Sequence, residues 1–189
     1  MRPKVALLLF PFAVLVGLAI TTPVLGKVYY TAKQLLMEHF HDAHRVSHQR
    51  IAITGPLRAK LERKLGRKLP KTKTEYVVYI ATRGDHVDGY AVFDQEPGQH
   101  QLIDFATFFD AAGTVTRTEV VAYREGYGAE IRRESFRQQF VGRNAASGFQ
   151  LGSDIDAISG ATISSESMSR AVQRAALVLE AGVLSAQDQ

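Results

Sequence analysis

The sequence contains no cysteine and no tryptophan among its 189 residues. The lack of cysteine excludes disulfide frameworks, thiolate zinc sites, iron–sulfur clusters, c-type haem attachment and lipid acylation at a cysteine. If the protein carries electrons, an organic cofactor must therefore hold them. The GxSxG, Walker A, HExxH and GxGxxG motifs are also absent, so nothing supports a serine hydrolase, a nucleoside triphosphatase, a zinc protease or a Rossmann fold.

The overall composition is that of a folded domain. Hydrophobic residues make up 46% of the chain and charged residues 22%, which is typical of globular proteins rather than disordered ones. The length fits one domain with a short appendage. The formal net charge of +4 permits an anionic partner without identifying one.

The N-terminus carries a long uncharged stretch, residues 5–26, directly after Arg2 and Lys4. As a helix it would extend roughly 33 Å, enough to cross a hydrocarbon core of about 30 Å. This predicts a hydrophobic membrane anchor. Two alternatives are a cleaved signal peptide, with Val24 and Gly26 at positions −3 and −1 of the cut, and a buried helix. Anchor and signal peptide would both send the rest of the chain across the membrane.

Residues 27–73 are expected to form a helical, basic, membrane-proximal segment. The pattern over 30–48 favours a first helix. A second short helix is predicted between Thr54, a typical N-cap residue, and Gly66, with Pro56 in its first turn.

Positive charge is concentrated between Arg58 and Lys73, where eight Lys or Arg accompany one acid, Glu62. One interpretation is a docking face for anionic lipid headgroups or for an acidic redox partner. The alternative is an ordinary solvated helix face.

From residue 74 onward the hydrophobic period changes to two. Four stretches rich in β-branched and aromatic residues alternate with turn residues and predict an antiparallel meander: 76–81, 87–93, 102–109 and 114–123. Helices are predicted over 130–141 and 165–183. The expected fold class is α+β, with the meander packed against helices and a hydrophobic helix at the N-terminus.

Four histidines lie close together in the sequence, and His41, His44 and His48 would share one face of the predicted first helix. Imidazoles at this spacing can bind zinc or copper, or supply a haem ligand. The alternative is a polar helix face, because no carboxylate or thiolate completes a recognised pattern.

The segment Asp156-Ala157-Ile158-Ser159-Gly160-Ala161-Thr162 precedes the last predicted helix. A helix N-terminus offers unpaired N–H groups and a partial positive charge, so an anion there is stabilised. Ser164 or Ser165 can cap this helix. The physical interpretations are therefore an anion site or simply a capped helix after a tight loop.

The same seven residues resemble the flavinylation motif of the FMN-binding domain family, which includes subunits of the Rnf and Na⁺-translocating NADH:quinone reductase complexes. In that family a separate flavin transferase uses FAD to attach FMN to the motif threonine through a phosphoester. The resemblance implies that Thr162 is the acceptor, that Ser159, Gly160 and Ala161 surround it, and that Asp156 is the motif acid recognised during transfer.

The likeness extends over roughly residues 75–180 and is closer to the stand-alone exported members, because Glu125-Gly126-Tyr127-Gly128 replaces the Glu-Thr-Pro-Gly-Leu-Gly loop of the two complexes. For the flavin ring we expect Glu125 at the hydrogen-bonding edge. Aromatic candidates for the ring wall are Tyr123, Tyr127, Phe136 and Phe140. The alternative for each of them is packing in the hydrophobic core.

These observations divide the chain into a membrane anchor or signal peptide (1–26), a basic helical segment (27–73) and an FMN-binding domain (74–189). The expected function is that of a membrane-associated or exported electron carrier. Its partners would be the flavin transferase, redox proteins at the membrane and the membrane itself through residues 5–26, but not nucleic acid. The expected location is the extracytoplasmic side of a bacterial inner membrane. A flavin-dependent reductase of a soluble substrate and a non-redox exported adaptor are the alternatives.

Overall fold

A computed structural model describes residues 26–185. The predicted hydrophobic helix therefore lies outside the described residues, apart from Gly26. The centre of the described part is a six-stranded antiparallel sheet in the order β1-β6-β5-β4-β3-β2. Its strands are β1 (Lys27–Val28), β2 (Arg45–Ala52), β3 (Glu75–Arg83), β4 (His86–Pro97), β5 (Leu102–Asp110) and β6 (Val115–Tyr123).

The meander β3 to β6 confirms the four predicted strands and the α+β class. Neighbouring strands pair antiparallel along the whole meander. Glycines with positive φ, Gly84 at 61° and Gly113 at 81°, lie in the turns that follow β3 and β5. Glycine adopts this conformation without steric cost, which is why these turns were recognisable from the sequence.

The prediction of one helix over 30–48 is wrong beyond His39. The helix α1 (Ala32–His39) begins with a capping box between Thr31 and Gln34. The chain then turns and forms β2, which pairs with β3. His48 consequently lies on a strand, so the predicted histidine face of a helix does not exist. Within residues 26–185 no three His, Asp or Glu side chains are grouped as metal ligands.

Helices cover both faces of the sheet. On one face, α4 (Thr162–Leu179) and α2 (Gly55–Leu65) pack over the larger hydrophobic core. On the other face, α1 covers a smaller core that includes Leu35, Phe40 and Phe108. As predicted, α2 follows Thr54 and ends at Gly66, whose φ is 66°, although the Thr54 side chain makes no capping bond.

The predicted helix over 130–141 is broken into three short pieces. A 3₁₀ turn (Ala129–Arg132), the single helical turn α3 (Glu134–Arg137) and a second 3₁₀ turn (Gln138–Phe140) follow one another. The break falls at Arg133, whose backbone is extended with ψ at 135°. Phe136 and Phe140 are buried and meet edge to face at 5.6 Å, so their apolar spacing reflects core packing rather than one continuous helix.

The last helix starts three residues earlier than predicted, at Thr162, and passes at Glu180–Leu184 into a π-helical turn. Across residues 26–185, none of the helices combines the length and apolar character that a membrane crossing needs. The boundary at residue 73 stays a prediction. Both β1 and β2 nevertheless belong to the same sheet as the later strands.

Candidate functional site

The loop before α4 is folded back on the start of the helix. Gly160 has a φ of 80°, and the Ala161 N–H donates to the Ile158 carbonyl at 2.9 Å, which closes a tight turn. The fully buried Ser165 joins loop and helix, since its hydroxyl accepts from Ile158 N at 3.3 Å and donates to Ala161 O at 2.9 Å. The turn therefore places Thr162 as the first residue of the helix.

The predicted side-chain cap is absent from this helix. Ala161 occupies the N-cap position, and neither Ser164 nor Ser165 caps the first turn. The first turn also contains no acidic residue. Uncapped N–H groups and the helix dipole favour a negative charge at this point, so this helix start can accept a phosphate.

The acceptor predicted from the motif is accessible. Thr162 is exposed, and its hydroxyl makes no hydrogen bond within residues 26–185. Ser159 and Gly160 beside it are exposed, whereas Ala161 is buried. A small residue at 161 lets the turn pack on the core while the neighbouring hydroxyl stays in solvent.

The motif aspartate is held through its backbone. Asp156 N–H donates to Gln139 Oε1 at 2.7 Å, and Gln139 Nε2 donates to the Asp156 carbonyl at 3.3 Å. The Asp156 side chain is exposed and makes no hydrogen bond or ion pair within the described part of the chain. Its carboxylate is therefore available to another molecule, while the backbone that carries it is fixed.

A second loop, residues 124–128, is attached to the start of α4. The Tyr123 hydroxyl lies 2.8 Å from Ser164 Oγ and donates to the Tyr127 carbonyl. Burial raises the pKa of Tyr123, so the phenol remains a hydrogen-bond donor at neutral pH. Gly128, with φ at 93°, packs so closely that an added Cβ would lie 2.5 Å from Ser164 Oγ.

Glu125 and Tyr127 have different surroundings in this loop. Glu125 Oε1 accepts from the backbone N–H groups of His100 at 2.6 Å and Gln101 at 2.8 Å, so it fixes the β4–β5 turn to the 124–128 loop. Tyr127 is 90% exposed. Of the four aromatic residues predicted as a ring wall, the other three are buried, which leaves Tyr127 as the aromatic surface in this loop.

Sequence reasoning missed the residues that support the motif from behind. Gln139 was assigned no role, nor was Arg143, which donates to Gln139 O at 2.7 Å, Gly148 O at 2.8 Å and Asp154 O at 2.5 Å. An irregular segment of this kind must satisfy its carbonyls with side chains. A single sequence contains no pattern that reveals which polar residues do so.

The basic segment between Arg58 and Lys73 is partly neutralised by internal contacts. Arg67 pairs with Glu96 at 2.7 Å and Lys73 with Asp94 at 3.1 Å. Arg58 donates to the Lys73 carbonyl at 2.5 Å. The cations of this segment without such contacts among the described residues are Lys60, Arg63, Lys64 and Lys71. The charge available to a partner is therefore about half of what the sequence suggested.

Residues 98–177, from the β4–β5 turn to the last turns of α4, match the family model of the FMN-binding domain. This part of the chain is therefore similar to the FMN-binding domain family. The match begins at the turn held by Glu125 and includes the motif loop and most of α4. A comparison with curated proteins found no match.

The geometry fits FMN as the cofactor of this domain. The exposed Thr162 hydroxyl and the uncapped helix start match the phosphate of FMN in chemistry and charge. The phosphate would contact Thr162, Ser159 and Gly160. The rest of the flavin would lie against the neighbouring 124–128 loop. The family match over residues 98–177 supports FMN as the cofactor of this part of the chain.

Proposed function

We propose that FMN is attached covalently to Thr162 through a phosphoester and that the domain is an electron carrier. The observation that supports this most directly is the exposed, unbonded Thr162 hydroxyl at the first position of an uncapped helix. Ala161, not Thr162, occupies the N-cap position, so the Thr162 hydroxyl has no capping role and is exposed beside the unpaired N–H groups of the first turn.

The attachment step balances with FAD as the donor. The Thr162 oxygen forms a bond to the FMN phosphorus, the pyrophosphate bond of FAD breaks, and AMP leaves. The hydroxyl proton passes to a base of the flavin transferase. The product is a phosphodiester with one negative charge, which the dipole and the free N–H groups of α4 stabilise.

Once attached, FMN supplies the one-electron and two-electron chemistry, and the protein supplies its position and electrostatic environment. Ser159 and Gly160 flank the attachment point. The Asp156 carboxylate is exposed for recognition by the transferase, while Gln139 fixes its backbone. Tyr127 offers an exposed aromatic surface for the ring.

We further propose that residues 5–26 anchor the chain in a bacterial inner membrane, with the domain on the extracytoplasmic side. The support is the uncharged run itself and the position of Arg2 and Lys4 before it. Cleavage after Gly26, which would release the domain, is the alternative. N-terminal sequencing of the mature protein distinguishes the two.

Coexpression with a flavin transferase tests the covalent attachment. Mass spectrometry of a tryptic digest should show the peptide that contains Thr162 heavier by FMN minus water. Thr162→Ala should remove this addition, and Ser153→Ala, an exposed hydroxyl in the preceding loop, should retain it. Unmodified wild-type peptide after coexpression would contradict the proposal. Steady-state oxidation of NADH or NADPH by the flavinylated protein would instead favour the reductase.

A further inference from the structure

The sheet face opposite α4 is only partly covered. The eight residues of α1 extend about 12 Å, whereas six strands at about 4.8 Å spacing are roughly 24 Å wide. A groove of about 680 Å³ remains between α1 and the edge strand β2. Apolar side chains that line it are Ala32, Leu36, Met37, Phe40, Ala43 and Val46.

Two of these apolar side chains are turned toward solvent. Met37 is 64% exposed and Val46 is 41% exposed. Val46 pairs in register with Ala81, which is buried beneath α1, so Val46 lies on the same side of the sheet as α1. Exposed apolar groups beside an open groove are typical of an interaction surface.

The charge of this groove is positive. The side chains of Lys33 and Arg45 line it and form no ion pair or hydrogen bond within residues 26–185, and the polar side chains of His41, His44 and His48 also line it. No acidic side chain is among the lining residues. Of the acids nearby in sequence, Glu38 pairs with Arg117 at 2.9 Å, and Asp42 lies 3.3 Å from His41 and 3.8 Å from Arg83. The surface therefore complements an anionic and apolar partner.

The position of this surface in the chain favours a lipid surface as that partner. The uncharged run 5–26 ends directly before β1, and α1 begins at Ala32, six residues after Gly26. Six extended residues span at most about 20 Å. If residues 5–26 cross the bilayer, α1 is the first helix outside it and is held close to the headgroups.

We propose that the face formed by α1 and β2 docks on the anionic surface of the bilayer that holds residues 5–26. This rests on the membrane anchor proposed above. Interfacial binding combines buried apolar area with electrostatic attraction, and the groove offers both. The basic segment 58–73 has free cations but none of the large exposed apolar side chains. Docking through α1 leaves α4, on the other face of the sheet, directed away from the lipid, so Thr162 stays accessible.

The lack of native cysteine makes a direct experiment possible. Full-length Met37→Cys, labelled with the environment-sensitive fluorophore NBD, is reconstituted into nanodiscs of phosphatidylglycerol and phosphatidylcholine. Its label should show blue-shifted emission and protection from aqueous iodide. The matched control Lys60→Cys, on the exposed side of α2, should remain accessible to iodide. Phosphatidylcholine alone should give weaker protection at position 37.

Charge variants measure the electrostatic part. Each Lys or Arg near an anionic surface strengthens binding roughly fivefold, so Lys33→Gln with Arg45→Gln should lower the ratio of docked to free domain by roughly thirtyfold. Protection at position 60 instead of 37 would overturn the proposal in favour of the 58–73 segment. Protection at 37 that depends on protein concentration in detergent would overturn it in favour of a second copy of the chain.

The anchor and the docking are separable in the same experiment. Co-migration of the full chain with nanodiscs but equal iodide quenching at both labels would overturn the docking and leave the anchor intact. Absence of co-migration would overturn both. The flavin addition at Thr162 is measured independently of either result.

Discussion

Replacing Arg174 should reveal how strongly α4 is fastened to the sheet. Arg174 lies in the middle of α4 and is 2% exposed. Its Nε donates to Asp94 Oδ2 and its Nη1 to Glu96 Oε2, both at 2.5 Å. A third bond runs to the Gln95 carbonyl at 3.0 Å. One guanidinium thus connects α4 to three successive residues of β4.

Arg174→Met removes the guanidinium and leaves two buried carboxylates. Loss of one partner from a buried ion pair typically costs about 3–5 kcal/mol. Lys73 remains 3.1 Å from Asp94 and Arg67 remains 2.7 Å from Glu96, so we expect the lower end, about 3 kcal/mol. Because small domains are stable by only about 5–15 kcal/mol, this is a large part of the total.

Urea denaturation followed by circular dichroism measures the change as a lower midpoint at an unchanged slope. Arg170→Met is the matched control one turn earlier, since Arg170 pairs with Glu166 at the surface and should lose less than about 1 kcal/mol. Arg174→Lys keeps the charge but not the planar fork and should fall between the two. Equal losses for Arg174→Met and Arg170→Met would refute the reasoning.

Three further predictions concern other parts of the domain. Burial is the main cause, and a neighbouring arginine the second, that lowers the pKa of His39 from 6.5 to about 4. As the pH falls, His39 takes up its proton in the unfolded chain before it does so in the folded one, so the free energy of unfolding should fall by about 1–2 kcal/mol between pH 6.5 and pH 4. His39→Phe should flatten this part of a curve of stability against pH. Gly128→Ala should displace the start of α4 and reduce flavin attachment severalfold by mass spectrometry, whereas Gly126→Ala, with free space around its Cα, should not. Gln139→Ala should likewise lower the yield of flavin attachment while lowering the free energy of unfolding in urea by only about 1 kcal/mol. Gln138→Ala, at an exposed position, serves as its control. An unchanged yield in Gln139→Ala would mean that flavin attachment does not need the hydrogen bonds from Gln139 to the Asp156 backbone.

Local sequence patterns predicted the meander well because each of its strands is an apolar and aromatic stretch bounded by turn residues. Residues 102–109 are rich in apolar and aromatic groups, and Gly113 lies in the next turn. The edge strand β2 has no such pattern: only Ile51 of its eight residues is buried. A strand with so few buried residues lacks the alternation of apolar and polar residues that indicates a strand. For this reason the helix predicted over 30–48 extends past His39.

The position of the motif could be predicted from the sequence, but the contacts around it could not. The motif located Thr162, and the structure places it at the first residue of α4. Contacts between distant segments were not predictable: Tyr123, a candidate for the ring wall or the core, is buried and joins Ser164 to the 124–128 loop. Glu125 was expected at the ring, and its carboxylate accepts two backbone N–H groups of the β4–β5 turn. Whether it also meets the ring stays a prediction.

The start of α4 is held firmly by its neighbours, whereas the Thr162 hydroxyl at that start is left exposed. Three contacts fix the first turns of α4 to different segments: Ser164 to Tyr123, Ser167 to the Pro97 carbonyl at 2.7 Å, and the preceding loop to Gln139. In the proposed attachment at Thr162, these contacts would set the position of the flavin phosphate. They do not determine where its ring lies, because a phosphoester and a ribityl chain contain many rotatable bonds. The ring of an attached flavin would therefore be placed by non-covalent contacts near Thr162, and Tyr127, 90% exposed, offers an aromatic surface in the 124–128 loop for such a contact.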